Sequence, residues 1–344
     1  SARRLTSASP SYRGRTMSIT VEKLSRSFGE IQAVKGIDLH VEHGETFGFL
    51  GPNGAGKSTT IKMLCTLLHP TSGHASINGY DIEREASQVR QSIGIVFQDP
   101  TLDEYLTAEQ NLYYHCMIYH TPTKTRATRI RDVLQLVGLE ERRKDIVKTF
   151  SGGMKRRLEV ARGLLHEPQT LFLDEPTVGL DPQTRRSVWE HVLRLRESTG
   201  LTIFMTTHYM EEAEYCDRIA IIDHGQIVAL DTPAALKRMV GQDQVCLTTS
   251  SPERAASVLE QQLGHSVRRE NDSLYVEGEN GEELAASLIR QLTLADINVR
   301  GVSVTVPTLE DVFVHLTGRA IRDETASAKE RLGARLRSRG RLRR

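Results

Sequence analysis

One octapeptide, Gly51-Pro52-Asn53-Gly54-Ala55-Gly56-Lys57-Ser58, constrains this chain more than any other feature. It fits G-x-x-x-x-G-K-[ST], a loop that turns its amides inward around phosphate oxygens. Glycine is required where a Cβ would collide or where φ must be positive. An apolar strand over residues 45–50 leads into the loop, and a helix starting at Thr59 and running over 59–68 leaves it. The helix N-terminus therefore aims its partial positive charge at the same phosphates. Lys57 supplies a full charge to the β- and γ-phosphate oxygens, and Ser58 offers a hydroxyl to a divalent cation.

A second cluster of chemistry follows the apolar run Leu171-Phe172-Leu173, which ends in Asp174-Glu175-Pro176. Buried strands seldom end in adjacent carboxylates, because desolvation and mutual repulsion raise their cost. A divalent cation removes that cost. Asp174 suits holding Mg²⁺, and Glu175, one residue on, can polarise an attacking water as general base.

Between and beyond these sites the pattern alternates. Strands are expected over 18–24, 93–97, 201–206 and 219–223, and helices over 107–119, 124–137 and 187–197. Strands alternating with helices predict an α/β fold with a mostly parallel sheet. The pattern changes near residue 240. Strand 245–249, helix 252–263, a hairpin of 266–269 and 274–277 across Asn271-Asp272, helix 282–292 and strand 299–306 follow in order. That β-α-β-β-α-β series is the mark of a small α+β domain of split-βαβ type. A last helix is expected over 309–316. The expected division is therefore a disordered extension at 1–16, a nucleotide-binding domain at 17–240, an accessory domain at 243–318 and a basic tail at 321–344. The accessory domain shows no catalytic cluster and suits a role in dimer stability or regulation.

Four further pieces complete an ordered set. They are Gln98 after strand 93–97, Phe150-Ser151-Gly152-Gly153-Met154, Gly179-Leu180-Asp181 after the acid pair, and His208 after strand 201–206. Ser151 lies 23 residues before Asp174, and His208 lies 34 after it. With the phosphate loop, this set resembles the ATP-binding subunits of ABC transporters over residues 18–240.

The resemblance implies a P-loop NTPase domain with a helical subdomain, which binds ATP with Mg²⁺ and hydrolyses it. It also implies two ATP molecules sandwiched head to tail, in a homodimer or with a paired ATP-binding subunit, and separate transmembrane permease subunits. Ser151, Gly152 and Gly153 would face the γ-phosphate held by the other subunit. Gln98 would touch Mg²⁺ or its water and sense the membrane partner. His208 would contact the γ-phosphate and orient Glu175, and Asp181 would belong to the dimer-crossing loop. Phe28, 29 residues before Lys57, would stack on adenine, since the ring face does that work. Read from the residues alone, Ser-Gly-Gly is a helix cap, Gln98 a surface residue and Phe28 a packing residue. Phe150 and Met154 stand where the commonest family signature has Leu and Gln. Met154-Lys155-Arg156-Arg157, the stretch 206–213 and Pro307-Thr308-Leu309-Glu310-Asp311-Val312-Phe313 resemble the branch of daunorubicin-resistance-type exporters of drugs or lipids.

Composition sharpens the location. The net charge of +1 hides four arginines without an acid in 1–16, and nine Lys/Arg against three acids in 322–344. The body between them is net acidic. The Arg-rich end suits anionic lipid headgroups or stays solvated; nucleic acid is the weaker reading. An ATPase of the same fold acting on nucleic acid or the ribosome has only those basic ends in its favour. A binding module without turnover is opposed by Glu175 and His208. The four cysteines, Cys65, Cys116, Cys216 and Cys246, are too dispersed for a CxxC motif and suit a reducing compartment. No apolar run approaches a membrane span. The expected place is the cytoplasmic face of a membrane, held there by another subunit.

Overall fold

A computed structural model describes residues 17–263, 266–270 and 272–318. Residues 1–16, the Arg-rich tail and Asn271 of the expected hairpin turn lie outside the described residues. The described chain divides after Thr232 into two compact units. The small unit thus begins ahead of residue 243, where the strand and helix pattern placed it.

In chain order the strands of the first unit are β1 (Met17–Phe28), β2 (Ile31–Glu42), β3 (Thr46–Leu50), β4 (Ser72–Ile77), β5 (Tyr80–Asp81), β6 (Ile93–Val96), β7 (Thr170–Asp174), β8 (Thr202–Thr207), β9 (Arg218–Asp223) and β10 (Gln226–Asp231). Its helices are α1 (Lys57–Leu64), α2 (Ala86–Ser92), α3 (Ala108–Ile118), α4 (Thr123–Leu136), α5 (Gly152–Leu164), α6 (Pro182–Thr199) and α7 (Met210–Ala213).

Six strands form the central sheet, in the order β10-β9-β3-β8-β7-β6, parallel except for β10. Every residue of β3, β7 and β8 is buried, as parallel strands covered on both faces must be. Phe204 of β8 sits in the middle. Its ring centroid lies 5.5 Å from Phe47, 5.8 Å from Phe49 and 5.4 Å from Phe172. The parallel registers make neighbouring strands finish level: Leu50 pairs with Thr207, Asp174 with Thr206, and Val96 with Leu173. The Gly51 loop, Glu175, His208 and Gln98 therefore leave one edge of the sheet together.

A second sheet, β2-β1-β4-β5, is antiparallel throughout. Its strand Ile31–Glu42 was not expected from the sequence. It alternates cleanly only from Ile37 onward, because Lys35-Gly36 puts two exposed residues in a row after Val34. Helix α1 also ends four residues sooner than expected, because Thr66 turns into the left-handed region. The helices at 107–119 and 124–137 emerge within a residue of expectation, the first locked by a Thr107/Gln110 capping box.

The second unit contains α8 (Pro233–Arg238), β11 (Asp243–Thr249), α9 (Pro252–Leu263), β12 (Val267–Glu270), β13 (Ser273–Gly278), α10 (Gly281–Leu294), β14 (Val299–Thr305) and α11 (Leu309–Thr317). Its antiparallel sheet, β12-β13-β11-β14, has the split-βαβ order. Val245, Leu247, Leu274 and Val276 pack there against Leu259, Leu284, Leu288 and Leu292.

Phe204→Ala is expected to destabilise the first unit by about 3–5 kcal/mol, through lost contact and a cavity the sheet cannot close. Trp189, the one tryptophan of the chain, is buried in α6 and reports this unit in denaturant titrations by fluorescence.

Candidate nucleotide site

The glycine loop folds as its spacing demands. Gly56 caps α1 with φ +109°, and a Cβ there would sit 2.6 Å from the Ala33 carbonyl oxygen. Gly51 lies so close to β9 that a Cβ would reach 2.3 Å from the Ile222 oxygen. Gly54, at φ +81°, faces open space. The loop thus packs its first and last glycines against the sheet and keeps its middle free. The opening is a cavity of about 600 Å³, lined by Asn53, Gly54, Gly56, Lys57, Ser58 and Thr59 from the loop. Gln98, Glu175, Gly179, His208 and Tyr209 line the other walls.

Lys57, 4 % exposed, folds back over the loop. Its Nζ donates to the carbonyls of Gly51 at 2.8 Å and Pro52 at 3.1 Å, and pairs with Glu175 Oε1 at 3.1 Å. His208 Nδ1 lies 3.3 Å from the other oxygen, Oε2. Glu175 is thus bracketed by a cation and an imidazole. Burial pushes its carboxyl up, but the His208 hydrogen bond and the Lys57 charge outweigh it and hold the group down at about 2. Burial draws the Lys57 ammonium downward, and the Glu175 and Asp174 charges pull it back.

The backbone of Glu175 is itself unusual, with φ +45°. A non-glycine residue in that region carries strain of about 1–3 kcal/mol and persists only where its surroundings fix it. Here the Glu175 N–H donates to Thr206 Oγ1 at 3.0 Å and also faces the Thr206 carbonyl at 3.2 Å. Thr206 Oγ1 in turn donates to Asp174 Oδ1 at 2.6 Å. Ser58 Oγ donates to the same Asp174 oxygen at 3.1 Å. Ser58 and Gln98 line the cavity and Asp174 stands behind Ser58, so hydroxyl, carboxylate and amide oxygens are available there, the chemistry a hard divalent cation prefers.

The remaining expected residues stand elsewhere. Ser151 caps α5, its side chain accepting from Met154 N at 3.3 Å, and Gly152 and Gly153 open that helix. Asp181 caps α6, accepting from Thr184 N at 3.0 Å, and those Thr184 bonds hold its carboxyl below the usual range. Phe28 is exposed at the end of β1, with the Arg26 guanidinium 4.7 Å from its ring centre. None of the five lines the Lys57 cavity. Pro52 and Ala55 shape the loop itself, with Ala55 N bonded to the Pro52 carbonyl.

Several residues that the sequence did not single out hold the site. Glu212, 1 % exposed, accepts from Thr207 Oγ1 at 2.6 Å and from Thr177 Oγ1, and lies 3.7 Å from Arg185. Arg185 covers the Tyr209 ring at 3.6 Å, next to His208. Arg156 and Glu159, both buried on α5, pair at 2.7 Å. The signal for them was an Arg and a Glu three residues apart on a helix face otherwise made of Leu158, Val160, Ala161 and Leu164.

A glycine loop closing on a lysine at the head of a helix, with a carboxylate pair at the end of the next strand but one in the parallel sheet, defines a P-loop nucleotide hydrolase. Residues 34–178 match the model of the ABC transporter family, and residues 232–317 match that of the C-terminal domain of DrrA1-3-like ATP-binding proteins. The chain belongs to the ABC transporter family, as an ATP-binding, ATP-hydrolysing subunit. It is 42% identical over 314 residues to the linearmycin resistance ATP-binding protein LnrL of Bacillus subtilis (strain 168), covering 89% of this chain and 100% of that one. It is 39% identical over 303 residues to the daunorubicin resistance ATP-binding protein DrrA3 of Streptomyces coeruleorubidus, covering 87% and 96%. Among solved structures, the dimeric post-hydrolysis state of the ATP-binding cassette MJ0796, bound to ADP and Pi, is similar with a TM-score of 0.56. Identity there is 27%, over 62% of this chain and 98% of that one.

The depressed Glu175 value fixes a pH window. Its folded value lies below its ordinary one of 4.5, so its pairing stabilises the fold above that pH and is lost as pH falls toward 2. The stability difference between the wild type and Glu175→Gln, read from Trp189 fluorescence, is expected to be constant above about pH 5.5 and to shrink between about 4.5 and 2.

Proposed function

We propose that this chain energises the export of a drug-like or lipid-like compound, with Glu175 as the general base of ATP hydrolysis and Mg²⁺ as its metal. The observation that carries the reading is Glu175, poised between Lys57 and His208 on the wall of the phosphate cavity. The ATP phosphates enter over Gly54, and Lys57 exchanges the Glu175 carboxylate for phosphate oxygens. That exchange removes the cation from Glu175, so its proton affinity rises toward the range a base needs. His208 keeps the other oxygen and holds the carboxylate toward the attacking water. Ser58, Asp174 and Gln98 would hold Mg²⁺, which supplies charge neutralisation for the phosphate oxygens when bound. Ser151, Gly152 and Gly153, on the N-terminus of α5, suit a second nucleotide presented by another copy, with Asp181 at that junction. Phe28 offers one ring face to adenine, the other being covered by Arg26.

The exposed face of α3 supports a docking surface for the membrane partner. Tyr113, Tyr114, Met117 and Ile118 are exposed along it. Tyr114 and Ile118 line a second cavity of about 520 Å³, together with Arg162 and with Thr101, which lies close in sequence to Gln98. A groove in which Leu106, Tyr114 and Ile118 stand beside Asp103, His115 and Arg162 suits an amphipathic helix from a transmembrane subunit. No helix among the described residues is long and apolar enough to cross a membrane. The seat on the membrane's cytoplasmic face, and the contact of the Arg-rich tail with anionic lipid, follow from the same reading.

Glu175→Gln is expected to bind ATP normally and to lose at least about 100-fold in steady-state turnover. Ordinary ATPase activity in that variant would contradict the assigned role. Ile118→Asp is expected to leave ATP binding unchanged and to strip a polytopic membrane protein from the purified complex; undiminished co-purification would remove α3 from the docking surface.

A further inference from the structure

We propose that Arg156 is a positioning residue for hydrolysis, which holds the strained Glu175 turn in shape from the signature helix and ties it to the Gln98 loop. The proposal rests on the reading of Glu175 as the general base. A guanidinium has five N–H donors, and those of Arg156 are all engaged. Nε donates to the Pro176 carbonyl. One terminal nitrogen donates to the carbonyls of Asp174 at 3.4 Å and Glu175 at 3.3 Å. The other donates to the Phe97 carbonyl at 2.5 Å and to Glu159 Oε2 at 2.7 Å.

Three successive carbonyls, of residues 174, 175 and 176, converge on this one cation. That convergence goes with the left-handed Glu175 backbone, φ +45°. Adjacent carbonyl dipoles aimed at one point repel unless a cation or donor fills it. Arg156 fills it. With the guanidinium gone, the turn has every reason to relax to an ordinary φ, and the carboxylate leaves its place against His208.

The same helix holds the Gln98 loop at both of its ends. Arg156 takes Phe97, Glu159 Oε1 accepts from Thr101 N at 2.9 Å, and Arg162 donates to the Thr101 carbonyl at 2.8 Å. A displacement of that loop is therefore felt at Glu175 through one buried side chain. Lysine cannot replace it, having three donors on a point charge instead of a planar fork.

The test uses the full chain. Arg156→Lys is expected to lose about tenfold to a hundredfold in kcat, with the KM for ATP changed less than about threefold, because the loop cavity is untouched. Arg156→Met with Glu159→Leu removes both charges together, avoiding an unpaired buried Glu159, and is expected to match that kcat loss, with a lowered Tm because the carbonyls of residues 97 and 174–176 lose their donor. Full kcat in either variant, or a loss carried wholly by KM, overturns the proposal. Glu175→Gln runs beside them. Turnover retained there defeats the general-base reading, whereas turnover lost there but kept in both Arg156 variants defeats this inference alone.

Discussion

The parallel register of β6, β7, β8 and β3 is the constraint on which the site depends. Because Val96, Leu173, Leu50 and the Thr206–Thr207 pair finish level, four unrelated loops deliver their polar groups to one edge. The strands can hold that register because both faces are covered and their middles are apolar, with the polar residues Thr206, Thr207 and Asp174 gathered at the strand ends. A one-residue slip would carry Asp174 away from Thr206 and Ser58 and leave a buried carboxylate without donors, at a cost comparable to the stability of a domain. The buried phenylalanines around Phe204 are therefore as much a part of nucleotide chemistry as Lys57 is.

The edge so made is crowded with charge, and the charges are arranged to satisfy each other in the absence of phosphate. Lys57, Asp174 and Glu175 are all under 7 % exposed. Each has a partner: loop carbonyls and Glu175 for the lysine, two hydroxyls for Asp174, and Lys57 with His208 for Glu175. Behind them, Arg156 and Glu212 satisfy backbone and hydroxyl groups that the turns expose. These inner groups have no direct reach to a nucleotide. They fix the backbone from which the reaching groups project.

That distinction explains what could be read from the sequence. The phosphate loop and the acid pair were legible because local chemistry dictates residue type at fixed spacing, whereas His208 was reached only through the resemblance to the family. Likewise the helices at 107–119 and 124–137 announced themselves by apolar period and by the Thr107 cap. The antiparallel strand Ile31–Glu42 was not legible, since Lys35-Gly36 breaks its alternation and its partners, in β1, are fixed only by tertiary pairing. Arg156 was hidden for a related reason. Its meaning lies in carbonyls some 20 and 59 residues away, and no side-chain pattern records where a carbonyl will point. Ser151, Asp181 and Phe28 fall between. The cap at Ser151 is what the residues alone suggested, whereas the cap at Asp181 was not read from them and the Phe28 ring, expected to pack, is exposed.

A carboxyl held at about 2 is a poor base, and this is consistent with the role proposed for Glu175. The low value comes from His208 and Lys57, and Lys57 is the group that phosphate claims. Before nucleotide arrives, the pair keeps the base silent, and water in the open cavity meets a carboxylate with little appetite for a proton. When phosphate oxygens take the lysine, desolvation, which already opposes the low value, is left facing only the His208 bond. On the reading proposed for Glu175, the substrate's own charge thereby raises the proton affinity of the base that acts on it. The strained turn is what makes the exchange local: Glu175 need only let go of Lys57, not travel, to face the position the lysine has vacated.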